Sequence, residues 1–163
     1  MDIQKHSILT IDDENGINLV EEFFTRLGEK SKTSKEAKMH LMFLNSAFNL
    51  LSVNLLKDLL KEKTEITITI DGKERTKSYQ LIKPLRVRPI YELRYAVNGN
   101  EHLRFLFFPI AHKGQSNYIF VKCFLKTRDP NVDDTDRMRD LTFEMYERVK
   151  RNPEYYIEGV EES

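Results

Sequence analysis

The stretch IYELRYAVNGNEHLRFLFFP, residues 90–109, restricts this chain more than any other. It reads as two strands rich in Tyr, Phe, Leu and Val around an Asn-Gly turn, with an arginine at the centre of each arm. A third strand is expected over 117–126. Side chains alternate faces along a strand. The odd positions are Tyr91, Leu93, Tyr95 and Val97, then Leu103, Phe105 and Phe107, then Ile119, Val121, Cys123 and Leu125, all apolar or aromatic. The even positions include Glu92, Arg94, His102, Arg104, Tyr118, Phe120, Lys122, Phe124 and Lys126. One face is therefore a core face and the other mixes basic and aromatic groups.

This parity selects the turn. A two-residue loop at Asn98-Gly99 would pair Tyr95 with His102 and mix the faces. A three-residue loop, 98–100, keeps them apart and needs one positive φ, which Gly99 supplies cheaply. It also sets Arg94 opposite Arg104. Like charges directly across a sheet repel, so an anion is expected between them. Two guanidinium groups on an open face would clamp a phosphate with bidentate contacts. The alternative is that they pair with Glu92 or with acids of the C-terminal helix.

The rest of the chain supplies what the sheet packs against. KHSILTI (5–11) has strand composition. INLVEEFFTRLGE (17–29) carries Leu19, Val20, Phe23, Phe24 and Leu27 at helical spacing. TSKE (33–36) reads as a capping box with Thr33 as N-cap. It opens a helical pattern to about Lys61, interrupted near 51–54. TEITITIDGKERTKSYQLI (64–82) alternates around Asp71-Gly72, a hairpin signal. RDPNVDD is a turn with Asp133 or Asp134 as cap of a last helix that carries Met138, Leu141, Met145, Tyr146 and Val149 on one face. The expected fold class is α+β: an N-terminal strand and helical hairpin packed on an antiparallel β-meander with a C-terminal helix. One domain is expected over 1–153, with an inserted hairpin at about 62–83 and a loose acidic tail at 154–163.

Formal charge cancels over the 163 residues, but it is unevenly spread. Residues 72–128 hold twelve Lys and Arg against Glu74, Glu92 and Glu101, a net of +9, while 154–163 hold four glutamates and no cation. A basic middle points to an anionic partner, nucleic acid first. Arg86, Arg88 and Arg128 are candidates for RNA contact. Tyr118, Phe120 and Phe124 are candidates to stack on bases or to lie beneath the last helix. The lone Cys123 makes no internal disulfide, and no paired-cysteine metal spacing occurs. No cofactor, metal, signal peptide or membrane span is expected, and the expected location is cytoplasmic.

The ordered runs IYELR (90–94), LRFLFF (103–108) and FLKT (124–127), followed by a helix, resemble the RelE/ParE toxin superfamily, closest to its HigB and phage-related branch. The order of strand, helical hairpin, meander and helix is also that family's. Lys122 stands where the family carries a histidine, and Leu125 where it carries a lysine. The resemblance implies the toxin of a type II toxin–antitoxin system, a metal-independent endoribonuclease that cuts mRNA, on the ribosome, by attack of a ribose 2′-OH on its phosphate. It implies mRNA, the ribosome and a cognate antitoxin as partners. Arg94 and Arg104 would stabilise the phosphorane with Lys126 in support, and His102, Glu92 or Lys122 would serve as base or acid. The alternatives are a gyrase inhibitor of the ParE type and an inactive relative that only binds.

Overall fold

The computed structural model of the chain describes residues 6–127 and 135–159. Its elements are β1 (His6–Thr10), α1 (Leu19–Ser31), α2 (Lys35–Val53), α3 (Leu56–Leu59), β2 (Thr64–Ile70), β3 (Lys73–Tyr79), β4 (Ile82–Pro84), β5 (Tyr91–Ala96), β6 (Glu101–His112), β7 (Gln115–Thr127), α4 (Thr135–Arg151) and α5 (Pro153–Glu158). The fold is α+β. A five-stranded sheet runs β1-β7-β6-β5-β4, and β2 and β3 form a separate two-stranded sheet. The meander is antiparallel, while β1 joins β7 in parallel.

Local chemistry explains the element ends. Asn18 caps α1 by accepting the Glu21 N–H at 3.0 Å. The cap of α2 is Ser34, which accepts the Ala37 N–H at 3.1 Å, one residue beyond the expected Thr33. Both hydroxyl residues qualify by type; Ser34 is the one with extended backbone beside the first helical residue. The long helical pattern stops at Val53, and α3 carries on as a short separate turn. Asp71 and Gly72 have φ of 52° and 75°, the pair of positive values that a two-residue turn matching strand twist requires.

The hairpin register is the expected one. Arg94 faces Arg104 and Ala96 faces His102 across a three-residue loop. The loop itself is held differently. Gly99 has no positive φ; the Asn98 Oδ1 accepts the N–H groups of Asn100 at 2.8 Å and Glu101 at 2.9 Å.

The parity of β7 departs from expectation. Lys122 faces Leu106 and Phe120 faces Phe107, which leaves Val121 as an extra residue. Such a bulge inverts the alternation beyond it. Tyr118 and Phe120 therefore join the core beneath α1 and α2, and Ile119 and Val121 join the core beneath α4. The first core is aromatic: Phe105 meets Phe23, Phe24 and Phe48. The second is built from Ile90, Phe108, Ile119, Val121, Met145 and Val149.

Residues 154–158, expected in a loose tail, belong to α5, which begins at Pro153. Its Glu158 accepts from His112 Nε2 at 2.9 Å and from Lys113 Nζ at 3.0 Å, at the β6–β7 turn. The C-terminal acids that are described thus sit at the far end of β6 from His102. Asp133, Asp134 and Arg128 lie outside the described residues.

Candidate functional site

Residues directly opposite on neighbouring strands share a face. Lys83 faces Glu92, Glu92 faces Leu106, and Leu106 faces Lys122. In the next row Arg94, Arg104 and Phe124 stand in line, and beyond it Ala96, His102 and Lys126. One sheet face therefore collects Glu92, Arg94, His102, Arg104, Lys122, Phe124 and Lys126. That gathering was legible from alternation. The face was expected to be open, but α4 packs on β6 and β7 from this side.

The cover changes what each charge does. Arg104 is only 6% exposed and Glu92 only 3%. The anion between the two arginines is the protein's own: Glu92 Oε1 accepts from Arg104 Nη1 at 2.6 Å and meets Arg94 Nε at 3.1 Å. Arg94 also donates from Nη1 to Gln80 Oε1 at 3.2 Å. A charge taken out of water is tolerated only with a well-placed counter-charge. Glu92 supplies it to two cations at once. Arg94, with its side chain 24% exposed, is the member of the pair that reaches solvent. Within this arrangement Glu92 holds both guanidinium groups and fixes where Arg94 stands.

Lys122 is spent in the same way. It is 3% exposed, and its Nζ lies 2.7 and 2.8 Å from the two carboxylate oxygens of Glu14 and 3.3 Å from Asp13 Oδ2. This ties the loop after β1 to the middle of β7. Asp13 Oδ1 accepts the N–H groups of Asn15 and Ile17, at 2.9 and 3.1 Å. Burial pushes the Asp13 carboxyl upward, but the Ile17 and Asn15 amides and the Lys122 ammonium outweigh it and hold it below its ordinary value. Lys122, expected as base or acid, is seen here as a tether, its buried ammonium held by Glu14 and Asp13.

The aromatic candidates divide. The bulge at Val121 takes Tyr118 off this face; it is 2% exposed and stacks on His6. Phe120 is buried with it. Both rings lie in the core beneath α1 and α2. Phe124 keeps its place beside Arg104 and stays half-buried.

What remains accessible is a cavity of about 390 Å³ lined by Lys83, Pro84, Leu85, Arg86, Lys126, Thr135, Asp136 and Arg139. Three segments build it: β4 with the turn after it, the end of β7, and the start of α4. Among the described residues, four cations face it against Asp136, which Arg139 Nη1 holds at 3.0 Å; Arg139 Nε meets Asp140 at 3.1 Å. Among the described residues, Lys83 and Arg86 make no ion pair. His102, across from Lys126, is the titratable group nearest in register. Arg88 is exposed on the same connector as Arg86. Lys83 and Arg139 were not singled out from sequence. The charge of the 72–128 segment was a signal for Lys83; Arg139, flanked by acids on its own helix, carried none. Among the described residues, no group of His, Cys, Asp and Glu is arranged to hold a metal, and no helix is long and apolar enough to cross a membrane.

No family model, curated protein or solved structure matches the chain.

Proposed function

We propose that this protein is a metal-independent endoribonuclease acting on mRNA, the toxin of a type II toxin–antitoxin pair. The observation that carries the reading is the basic cavity beside Lys126, on the face that also bears Arg94 and His102. A polyanion that neutralises several cations at one concave site binds through counterion release. RNA phosphates fit Lys83, Arg86 and Lys126, and Arg94, held by Glu92 and Gln80, is pre-set for a phosphate oxygen. His102, opposite Lys126, is the side chain placed to move a proton to or from a ribose hydroxyl. The resemblance of the runs IYELR, LRFLFF and FLKT to the RelE/ParE superfamily supports the same reading.

A second reading is favoured by one observation. Arg104, Glu92 and Lys122 are all engaged in internal ion pairs. A relative that binds RNA without cutting it would keep the cavity and need none of them as catalysts. Incubating the purified chain with mRNA, with and without ribosomes, separates the readings. Cleavage leaving cyclic phosphate ends, lost in His102→Ala and Lys126→Ala, is expected. Binding should weaken with salt, and Arg86→Ala should lower the slope of log affinity against log salt by about 1. Salt-dependent binding with intact RNA supports the binding module, and a flat salt response removes both.

A further inference from the structure

On the opposite face, between α1 and the ends of β6 and β7, lies a second cavity of about 410 Å³. Leu19, Phe23 and Leu27 form its helical wall, and Leu103, Cys123 and Leu125 its sheet wall. Its volume falls in the range of small-molecule sites, which are mostly apolar with a few convergent polar groups. Leu125 at its edge is 45% exposed, high for a leucine.

Among the described residues, three side chains besides the Cys123 thiol bring polar groups to it, Arg26, His40 and Glu101, and they are not equivalent. Arg26 stands on α1 beside Leu27. Glu22 sits one turn before it, in the orientation that favours a helical pair, yet among the described residues Arg26 makes no ion pair. Its charge reaches the Cys123 thiol on the cavity wall, although burial dominates there and holds that thiol up at about 12. His40 adds no cation at neutral pH: burial and the Lys77 charge hold its pKa below 6.5, and its Nδ1 is taken by the Tyr95 hydroxyl. Glu101 is turned to Asn98 Nδ2 at 2.9 Å. The cavity thus has an apolar body, a cation at the α1 side and an acid at the other.

We infer that this cavity binds an amphipathic monocarboxylic acid, with its alkyl chain along Phe23, Leu103 and Cys123 and its carboxylate at Arg26. The Glu101 charge sets the direction, since it repels the head from the opposite end. The site is independent of the basic cavity and of any cleavage of RNA.

The test uses the full chain and the series hexanoate, octanoate and decanoate, followed by calorimetry, with decanol as the uncharged comparison. Each added methylene should tighten Kd by about fourfold. Arg26→Ala, on an exposed side chain, should weaken decanoate roughly five- to tenfold and leave decanol unchanged. Leu125→Glu should weaken decanoate more than decanol. Equal loss of both ligands in Arg26→Ala, an affinity independent of chain length, or no binding up to the solubility limit of decanoate overturns the proposal. A chain that instead self-associates until Leu125→Glu separates it assigns the groove to a second copy and equally overturns it.

Discussion

The two faces of the central sheet solve burial by different physics. Beneath α1 and α2, Leu93, Tyr95, Leu103, Phe105 and Phe107 meet a layer of phenylalanines, and stability scales with apolar area removed from water. Beneath α4, the same strands bury Glu92, Arg104 and Lys122. There the requirement is completeness. Each charge needs its partner, and the whole arrangement gains little over an apolar one of the same shape. The first face tolerates shape changes by degrees; the second fails when one member is removed.

Truncating the apolar face tests that contrast with the largest effect. Phe105 is fully buried among three rings. Phe105→Ala should cost about 3–5 kcal/mol and lower Tm by roughly ten degrees or more, read by urea unfolding and calorimetry. A loss under about 1 kcal/mol would mean that the aromatic layer collapses freely and is not a packed core.

Arg104→Ala comes next, at about 3 kcal/mol, because it removes one of the two cations that neutralise buried Glu92. The informative variant is double. Arg104→Met with Glu92→Leu should recover most of the loss, since both charges leave together. If the double variant is as unstable as the single one, the clasp is a net source of stability and the contrast between the faces is wrong. The same pair reports on the proposed function: if the chain cuts RNA, cleavage should fall in the double variant although the fold is restored, because Arg94 loses its Glu92 partner.

The smallest effect concerns pH. The Asp13 carboxyl is held below its ordinary value of 3.8. The folded chain therefore binds that proton less readily than the unfolded chain. The contribution is complete above pH 3.8 and is lost as pH falls through the lower, folded value. Asp13→Asn keeps an oxygen for the Ile17 and Asn15 amides but loses the charge toward Lys122. It should cost about 1 kcal/mol at neutral pH and flatten the acid limb of the stability profile. An unchanged acid limb would show that the loop after β1 is held by Glu14 alone.

Residue order by itself determined most of the elements and the hairpin register, though not the helix α5 at 153–158. Alternation along 91–107 sorted Leu93, Tyr95 and Phe105 from Glu92, Arg94 and Arg104, and the Arg94–Arg104 register followed, because a one-residue slip would have exchanged the faces. Asp71-Gly72 specified its turn through backbone conformation alone. These are short-range effects, settled within a few residues. Tertiary structure decided the rest. Nothing local marks Val121 as a bulge, and that one residue moved Tyr118 and Phe120 from the basic face into the core. Nothing local makes Glu14 the partner of Lys122, which lies 108 residues away along the chain. Nor does the hairpin sequence reveal that α4 will cover its polar face. A strand states which side chains share a side; what stands on that side, and so whether an arginine meets solvent or a buried carboxylate, depends on which distant segment packs there, because desolvation is a property of the assembled layers.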